Sequence, residues 1–191
     1  MADNDFQAFI TDYYKRFSQT LLSFDKGPLK DVLDVFDTVV ARGGVVWVAG
    51  NGGSAAIANH MVCDAGKGTH VDGTAPFRMM SLAANVPLMT AIGNDISYDA
   101  VFSEPLKYYL TDKDAVLLVS SSGNSANVIE ACKYANERGV PTVAFVGFKG
   151  GALKEHATHV VHIEIENYGI VEDTHQSLIH AVTQYMRARK G

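Results

Sequence analysis

Apolar side chains open the sequence at Phe6, Phe9, Ile10, Tyr13, Tyr14, Phe17, Leu21 and Leu22, a helical spacing sustained for about four turns. A second amphipathic helix is predicted over residues 28–41. Pro28 suits its first turn, and Arg42-Gly43-Gly44 suits its end. The pattern then changes. Val45-Val46-Trp47-Val48-Ala49 is continuously apolar, as are the runs at 79–83, 115–119, 142–146 and 160–163. Unbroken rather than alternating apolarity marks strands covered on both faces. Helical stretches lie between them, at 55–65, 86–92, a broken 98–110, 125–138 and a short 151–156, and a long last helix ends near Arg189.

Strands alternating with helices predict a three-layer α/β/α fold with five parallel strands in a flavodoxin-like, doubly wound order. No internal repeat, low-complexity tract or linker divides the chain, so one domain over 1–191 is expected. Its first part, 1–43, is the helical pair, and 44–191 is the α/β core. The added pair has two ways to bury its apolar face, against another subunit or against its own sheet.

Composition narrows the function. The 191 residues are 47% hydrophobic, enough for a full core, and a formal charge of -5 lacks the basic surplus that phosphate-backbone binding requires. A small-molecule or protein partner is expected, not a nucleic acid. Cys63 and Cys132 are too few for a disulfide framework and lack zinc-ribbon spacing, which fits a reducing compartment. Met1 is not followed by a secretory pattern, and no apolar run approaches the ~20 residues of a membrane span. A cytoplasmic protein without membrane association is expected.

In open α/β sheets, ligands bind beyond the carboxyl ends of the strands. Two strand-to-helix loops there are unusual. Gly50-Asn51-Gly52-Gly53-Ser54 follows the first strand, and Ser120-Ser121-Ser122-Gly123-Asn124-Ser125 follows the third. Each leads into a helix whose first N–H groups are unpaired and whose dipole favours an anion. A single serine there is an ordinary helix cap, but four in six residues exceed what capping needs. Neither a full G-x-G-x-x-G fingerprint nor a Walker loop is present, so no nucleotide cofactor is expected and a sugar phosphate fits best.

Ionisable residues form a second constellation. His60 and Asp64 stand four apart on a predicted helix, one turn apart on one face, a spacing suited to metal ligation or to acid/base work. Glu172, Asp173, His175 and His180 crowd the last helix. Asn94-Asp95 ends the connection after the second strand, where it binds sugar hydroxyls or simply makes an Asx turn.

With these motifs in order, including Gly50-Asn51-Gly52-Gly53-Ser54-Ala55-Ala56, Asn59-His60, Gly93-Asn94-Asp95, Ser120 to Val128 and His175…His180, almost the whole chain resembles the sugar isomerase (SIS) domain family. Within that family it is most similar to the phosphoheptose isomerases, which interconvert sedoheptulose 7-phosphate and D-glycero-D-manno-heptose 7-phosphate. The resemblance implies that Ser120, Ser121, Ser122 and Ser125 hold phosphate, and that Asn51, Gly52, Gly53, Ser54, Asn94, Asp95 and Glu172 line the sugar pocket. It implies a homotetramer with shared sites, and one zinc ion per site held by His60, Asp64, Glu172 and His180. Asp64, Glu172 and His180 would carry catalysis. Alternatives within the resemblance are another phosphosugar or product stereochemistry, or a non-catalytic SIS-fold protein that binds a replication initiator.

The sequence departs from the family pattern at two of these positions. Asp64 stands where glutamate is usual and Glu172 where glutamine is usual. Asp64 is one methylene shorter, which moves a base by roughly an ångström, a costly shift for proton transfer. Glu172 would give the metal two carboxylates and two imidazoles, an acceptable zinc set. On one continuous helix, however, Glu172 and His180 would be about 12 Å apart along the axis. Either Glu172 precedes the last helix or the ligands come from different chains.

Overall fold

The computed structural model describes residues 5–190. Residues 1–4 and 191, which bound the domain expected over 1–191 and include the start read for a leader, lie outside the described residues. Five strands, β1 (Val46–Ala49), β2 (Met79–Ser81), β3 (Ala115–Ser120), β4 (Thr142–Val146) and β5 (His159–His162), pair in parallel in the order β2-β1-β3-β4-β5. This is the expected flavodoxin-like order. The continuously apolar runs account for its middle, since every residue of β3 and β4 is buried.

Eight α-helices accompany the sheet: α1 (Phe6–Ser23), α2 (Pro28–Arg42), α3 (Gly52–Cys63), α4 (Val86–Asp95), α5 (Ser103–Tyr109), α6 (Ala126–Glu137), α7 (Gly151–His156) and α8 (Tyr168–Ala188). Successive strand residues face opposite layers. Leu117 and Val119 join one core with Phe36 of α2, Ile57 of α3 and Ile179 of α8. Val116 and Leu118 join the other with Ile92 of α4, Leu106 of α5, Ala131 of α6 and Leu153 of α7. Three layers result.

The N-terminal pair divides. Val32, Val35, Phe36 and Val39 of α2 are buried in the chain's own core, whereas α1 buries no residue. Phe6, Phe9 and Leu22 of α1 remain 69%, 66% and 81% exposed, while Ile10, Tyr13, Phe17 and Leu21 are half-buried, so its apolar face is only partly covered among the described residues. One specific tie holds α1 to α8, where the Tyr13 hydroxyl donates to Asp173 Oδ2 at 2.7 Å.

Some element bounds shift from expectation for local reasons. Val45 falls outside β1 because its N–H goes to the buried Asp114 carboxylate at 2.8 Å instead of a strand partner. β2 ends early because Ser81 Oγ accepts the Ala83 N–H at 3.2 Å and turns the chain. Gly52 and Gly53 belong to the first turn of α3.

Candidate active site

The order of strands reverses between β1 and β3, and that switch point is where ligands bind in such sheets. The two unusual loops meet there. Asn51 and Ser125 occupy the N-cap positions of α3 and α6, yet neither side chain makes a capping hydrogen bond. Asn51 instead exchanges two amide hydrogen bonds with buried Asn127, at 2.8 and 2.9 Å, and accepts one from the Tyr98 hydroxyl at 3.0 Å. The leading N–H groups of both helices are left for a ligand.

The serines divide the work between loop and ligand. Ser120 Oγ accepts the Gly123 N–H at 3.1 Å, and Ser122 Oγ accepts the Asn124 N–H at 3.2 Å. These two bonds shape the turn. Ser121 Oγ is buried without a partner, a costly state unless a ligand uses it. Gly123 has φ of +67°, and any side chain there would strike the Gly150 carbonyl, so the turn requires glycine.

Asn51, Ser54, Val119, Ser120, Ser121, Ser122, Ser125, Tyr168 and Glu172 line a cavity of about 160 Å³. Clefts of about 550 and 910 Å³ lie elsewhere, beside the α1–α2 turn and beside Arg187, but neither gathers these convergent donors. Tyr168 packs on Phe148, ring centroids 4.7 Å apart. Gly53 abuts the Glu172 carboxylate so closely that a methyl group there would overlap it. Burial, together with the charge of adjacent Asp173, pushes the Glu172 carboxyl above the usual carboxylate range. A carboxyl tuned this way suits acid/base chemistry.

His60, Asp64 and His180 form a separate cluster, with a ligand atom from each within 4.8 Å of the others. His60 Nε2 and His180 Nε2 are 3.0 Å apart, and Asp64 Oδ2 lies 3.3 and 3.5 Å from them. Asp64 stands one helical turn after His60, at the point where α3 passes into a π-turn over Asp64–Gly68. Two imidazole nitrogens and a carboxylate oxygen aimed at one point fit zinc, which takes three such ligands and keeps a place open in catalytic sites. Gln176, one turn before His180, brings its side-chain amide nitrogen to 3.1 Å from His180 Nε2.

Glu172 does not join this cluster. It lies inside α8, two turns before His180 on one continuous helix, which removes the alternative that Glu172 precedes the last helix. Asn94 and Asp95 are exposed at the end of α4, hydrogen-bonded to each other at 2.8 Å, and do not line the serine cavity. His175 faces the core, not the site. It is fully buried against Phe145, and burial pushes it from 6.5 down to about 4.

Tyr98, Asn127 and Tyr168 were not singled out as site residues by sequence reasoning. Asn127 lay within the quoted serine motif, but nothing local distinguishes a buried amide pair from a helix-surface asparagine. Tyr98 and Tyr168 gave no signal, because their roles depend on which loops the sheet brings together.

A fold with phosphate-ready helix ends at its switch point and histidines on two facing helices has counterparts among known proteins. The chain belongs to the SIS domain family, whose model matches residues 6–147. Relatives in that family include a probable phosphoheptose isomerase of Thermoplasma acidophilum, 34% identical over 170 residues that cover 89% of this chain and 93% of that protein. A phosphoheptose isomerase of Mycobacterium tuberculosis (strain ATCC 25177 / H37Ra) is 35% identical over 171 residues, 88% of this chain and 87% of its own length. Among solved structures, a phosphoheptose isomerase from Neisseria gonorrhoeae superposes with a TM-score of 0.87 at 26% identity, covering 95% of this chain and 98% of that one.

Proposed function

We propose that the chain is an aldose–ketose isomerase that converts sedoheptulose 7-phosphate to D-glycero-D-manno-heptose 7-phosphate through an enediol. The observation that carries this reading is the placement of Glu172, its carboxyl pushed upward, in one cavity with the N-terminus of α6 and the unpartnered Ser121 hydroxyl. Relatives named phosphoheptose isomerase support the choice of sugar.

In this scheme the phosphate takes the open N–H groups of α6 and the hydroxyls of Ser121 and Ser125, with Ser120 and Ser122 donating their own hydrogens. Asn51, Gly52, Gly53 and Ser54 contact the sugar, and Asn94 and Asp95 border its outer end. Glu172 takes the proton from the carbon beside the carbonyl and returns it to the neighbouring carbon. His60, Asp64 and His180 would hold zinc, which when bound supplies Lewis-acid polarisation of the substrate oxygens. Asp64 offers the cluster Oδ2 and keeps Oδ1 for a hydroxyl proton.

A homotetramer with sites completed by neighbouring chains accounts for two features. The cavity of about 160 Å³ is smaller than the clefts of roughly 300–1,000 Å³ that enclose small ligands, and α1 leaves Phe6, Phe9 and Leu22 exposed. Free Cys63 and Cys132 support a reducing, cytoplasmic setting. Among the described residues no helix is long and apolar enough to cross a membrane.

Incubating the purified chain with sedoheptulose 7-phosphate in deuterium oxide, with and without chelator, tests the reaction. Deuterium should enter at the carbon next to the carbonyl as the aldose appears. Absence of both at every zinc concentration would sink the assignment.

A further inference from the structure

We infer that Tyr168 is a sugar-binding residue that grips the carbon chain of the substrate, and that Phe148 is a positioning residue that holds Tyr168 against the serine cavity. The inference rests on the isomerase reading for the identity of the sugar, and it assigns a part of the site that this reading leaves without a role.

Phe148 carries the first observation. Among the described residues it is the one non-glycine with φ in the left-handed region, at +47°. A bulky side chain at such an angle is a genuine backbone outlier, and the strain persists only where the surroundings hold it. Here they do. The Phe148 N–H donates to the Ile165 carbonyl at 3.3 Å, and the Phe148 carbonyl accepts from His162 Nε2 at 2.9 Å. Glycine would adopt this angle without strain, and the same stretch already has it at Gly147, Gly150 and Gly151. A ring is kept at the one strained position, so it does something that glycine at the same angle would not.

What the ring does is back Tyr168, with centroids 4.7 Å apart. Tyr168 lines the serine cavity and is nevertheless 60% exposed, so its ring is supported on one side and bare on another. The support is itself tied to the serine loop, because the Gly147 N–H donates to the Ser121 carbonyl at 2.9 Å. Tyr168 and Glu172 are four residues apart on α8, on one face and about 6 Å apart along its axis. A sugar phosphate that reaches from the serines to Glu172 therefore passes the Tyr168 ring with the hydroxyl-bearing carbons between its phosphate and its carbonyl. Tyrosine suits that segment. Its ring face is negative and attracts the C–H groups of a sugar, and its hydroxyl both donates and accepts hydrogen bonds. Inorganic phosphate lacks the segment altogether.

Calorimetric titration of the full chain with two probes tests the assignment. One is inorganic phosphate, and the other is the heptitol 7-phosphate made by reducing sedoheptulose 7-phosphate at its carbonyl, which binds without turning over. Tyr168→Ala should weaken heptitol phosphate by about tenfold and leave inorganic phosphate within about twofold of the parent. Tyr168→Phe, which keeps the ring, should fall between. Phe148→Gly keeps the backbone angle and should lose part of the same discrimination, again without effect on inorganic phosphate. Equal loss for both probes, or loss for neither, would overturn the inference. So would a parent that binds heptitol phosphate no better than inorganic phosphate. A changed oligomeric state in Tyr168→Ala, with heptitol phosphate affinity retained, would also overturn it and assign the ring to a contact between copies of the chain. Failure of the isomerase reading looks different: no deuterium exchange in the parent, with the Tyr168-dependent preference intact, leaves the grip standing and changes the reaction. Circular dichroism checks folding. If Tyr168→Ala does not fold, Tyr168→Leu, which keeps apolar bulk without the ring face or the hydroxyl, decides by the same criterion.

Discussion

Asn51 and Asn127 exchange two amide hydrogen bonds across the switch point of the sheet, one at 2.8 Å and the other at 2.9 Å. The pair locks the loop after β1 to the first turn of α6. Both helix N-termini are therefore held side by side before any ligand arrives, which is the preorganisation that phosphate binding needs. Asn127→Ala strips Asn51 of both bonds in a buried setting and should cost about 1–3 kcal/mol in urea unfolding. The Michaelis constant for the sugar phosphate should rise as well. An unchanged unfolding midpoint would show that the pair is incidental.

Ser125 separates capping from ligand binding. Its hydroxyl makes no capping bond, so Ser125→Ala should leave stability nearly unchanged, where loss of a true cap costs about 1 kcal/mol. Phosphate-ester affinity should fall. Parallel thermal melts and inhibition by inorganic phosphate distinguish the two roles.

Gly53 is where backbone and catalysis meet most closely. Its φ is not left-handed, and alanine is the better helix former, so Gly53→Ala should shift stability by no more than about 1 kcal/mol, toward the stable side. The added methyl nevertheless displaces the Glu172 carboxylate. Turnover should drop by about 100-fold, the scale of an ångström misplacement, and a variant with full turnover would detach Glu172 from the chemistry.

The pH profile should carry the mark of Glu172. As a base the carboxyl must be ionised, and burial raises its pKa, so the acidic limb of kcat/KM should lie above the ordinary carboxylate range. Glu172→Gln should remove that limb along with most of the activity.

His175 makes a prediction about stability alone. Neutral when folded, it titrates near 4 in the core and near 6.5 when the chain unfolds. Between those values the unfolded chain binds the extra proton, so the stabilisation present above pH 6.5 is lost as pH falls through that window toward 4. The loss amounts to roughly 3 kcal/mol. His175→Met should flatten this part of the curve in denaturant titrations at pH 7 and pH 5, and an equal slope in both proteins would assign the effect elsewhere.

Much of the architecture was legible in order of residues alone. Runs such as Ala115 to Val119 must be buried on both faces because they offer no polar side to water, and a sheet covered on both faces follows. The serine and glycine loops, placed after such strands, marked the ligand side of the sheet for the same reason. His60 and Asp64 were legible as a pair because a helix repeats nearly every four residues.

Tertiary structure decided what periodicity cannot encode. That α2 is buried in the core while α1 is only partly covered depends on which face the sheet leaves uncovered. That Glu172 belongs to the serine cavity, and Gln176 to the histidines, depends on how α8 crosses α3, where two turns of one helix reach different neighbours. Asn51, Tyr98 and Asn127 meet only because β1 and β3 lie side by side. Local sequence fixes which groups a helix or loop presents. Long-range packing fixes what each of those groups touches, and the chemistry of a site resides in that contact.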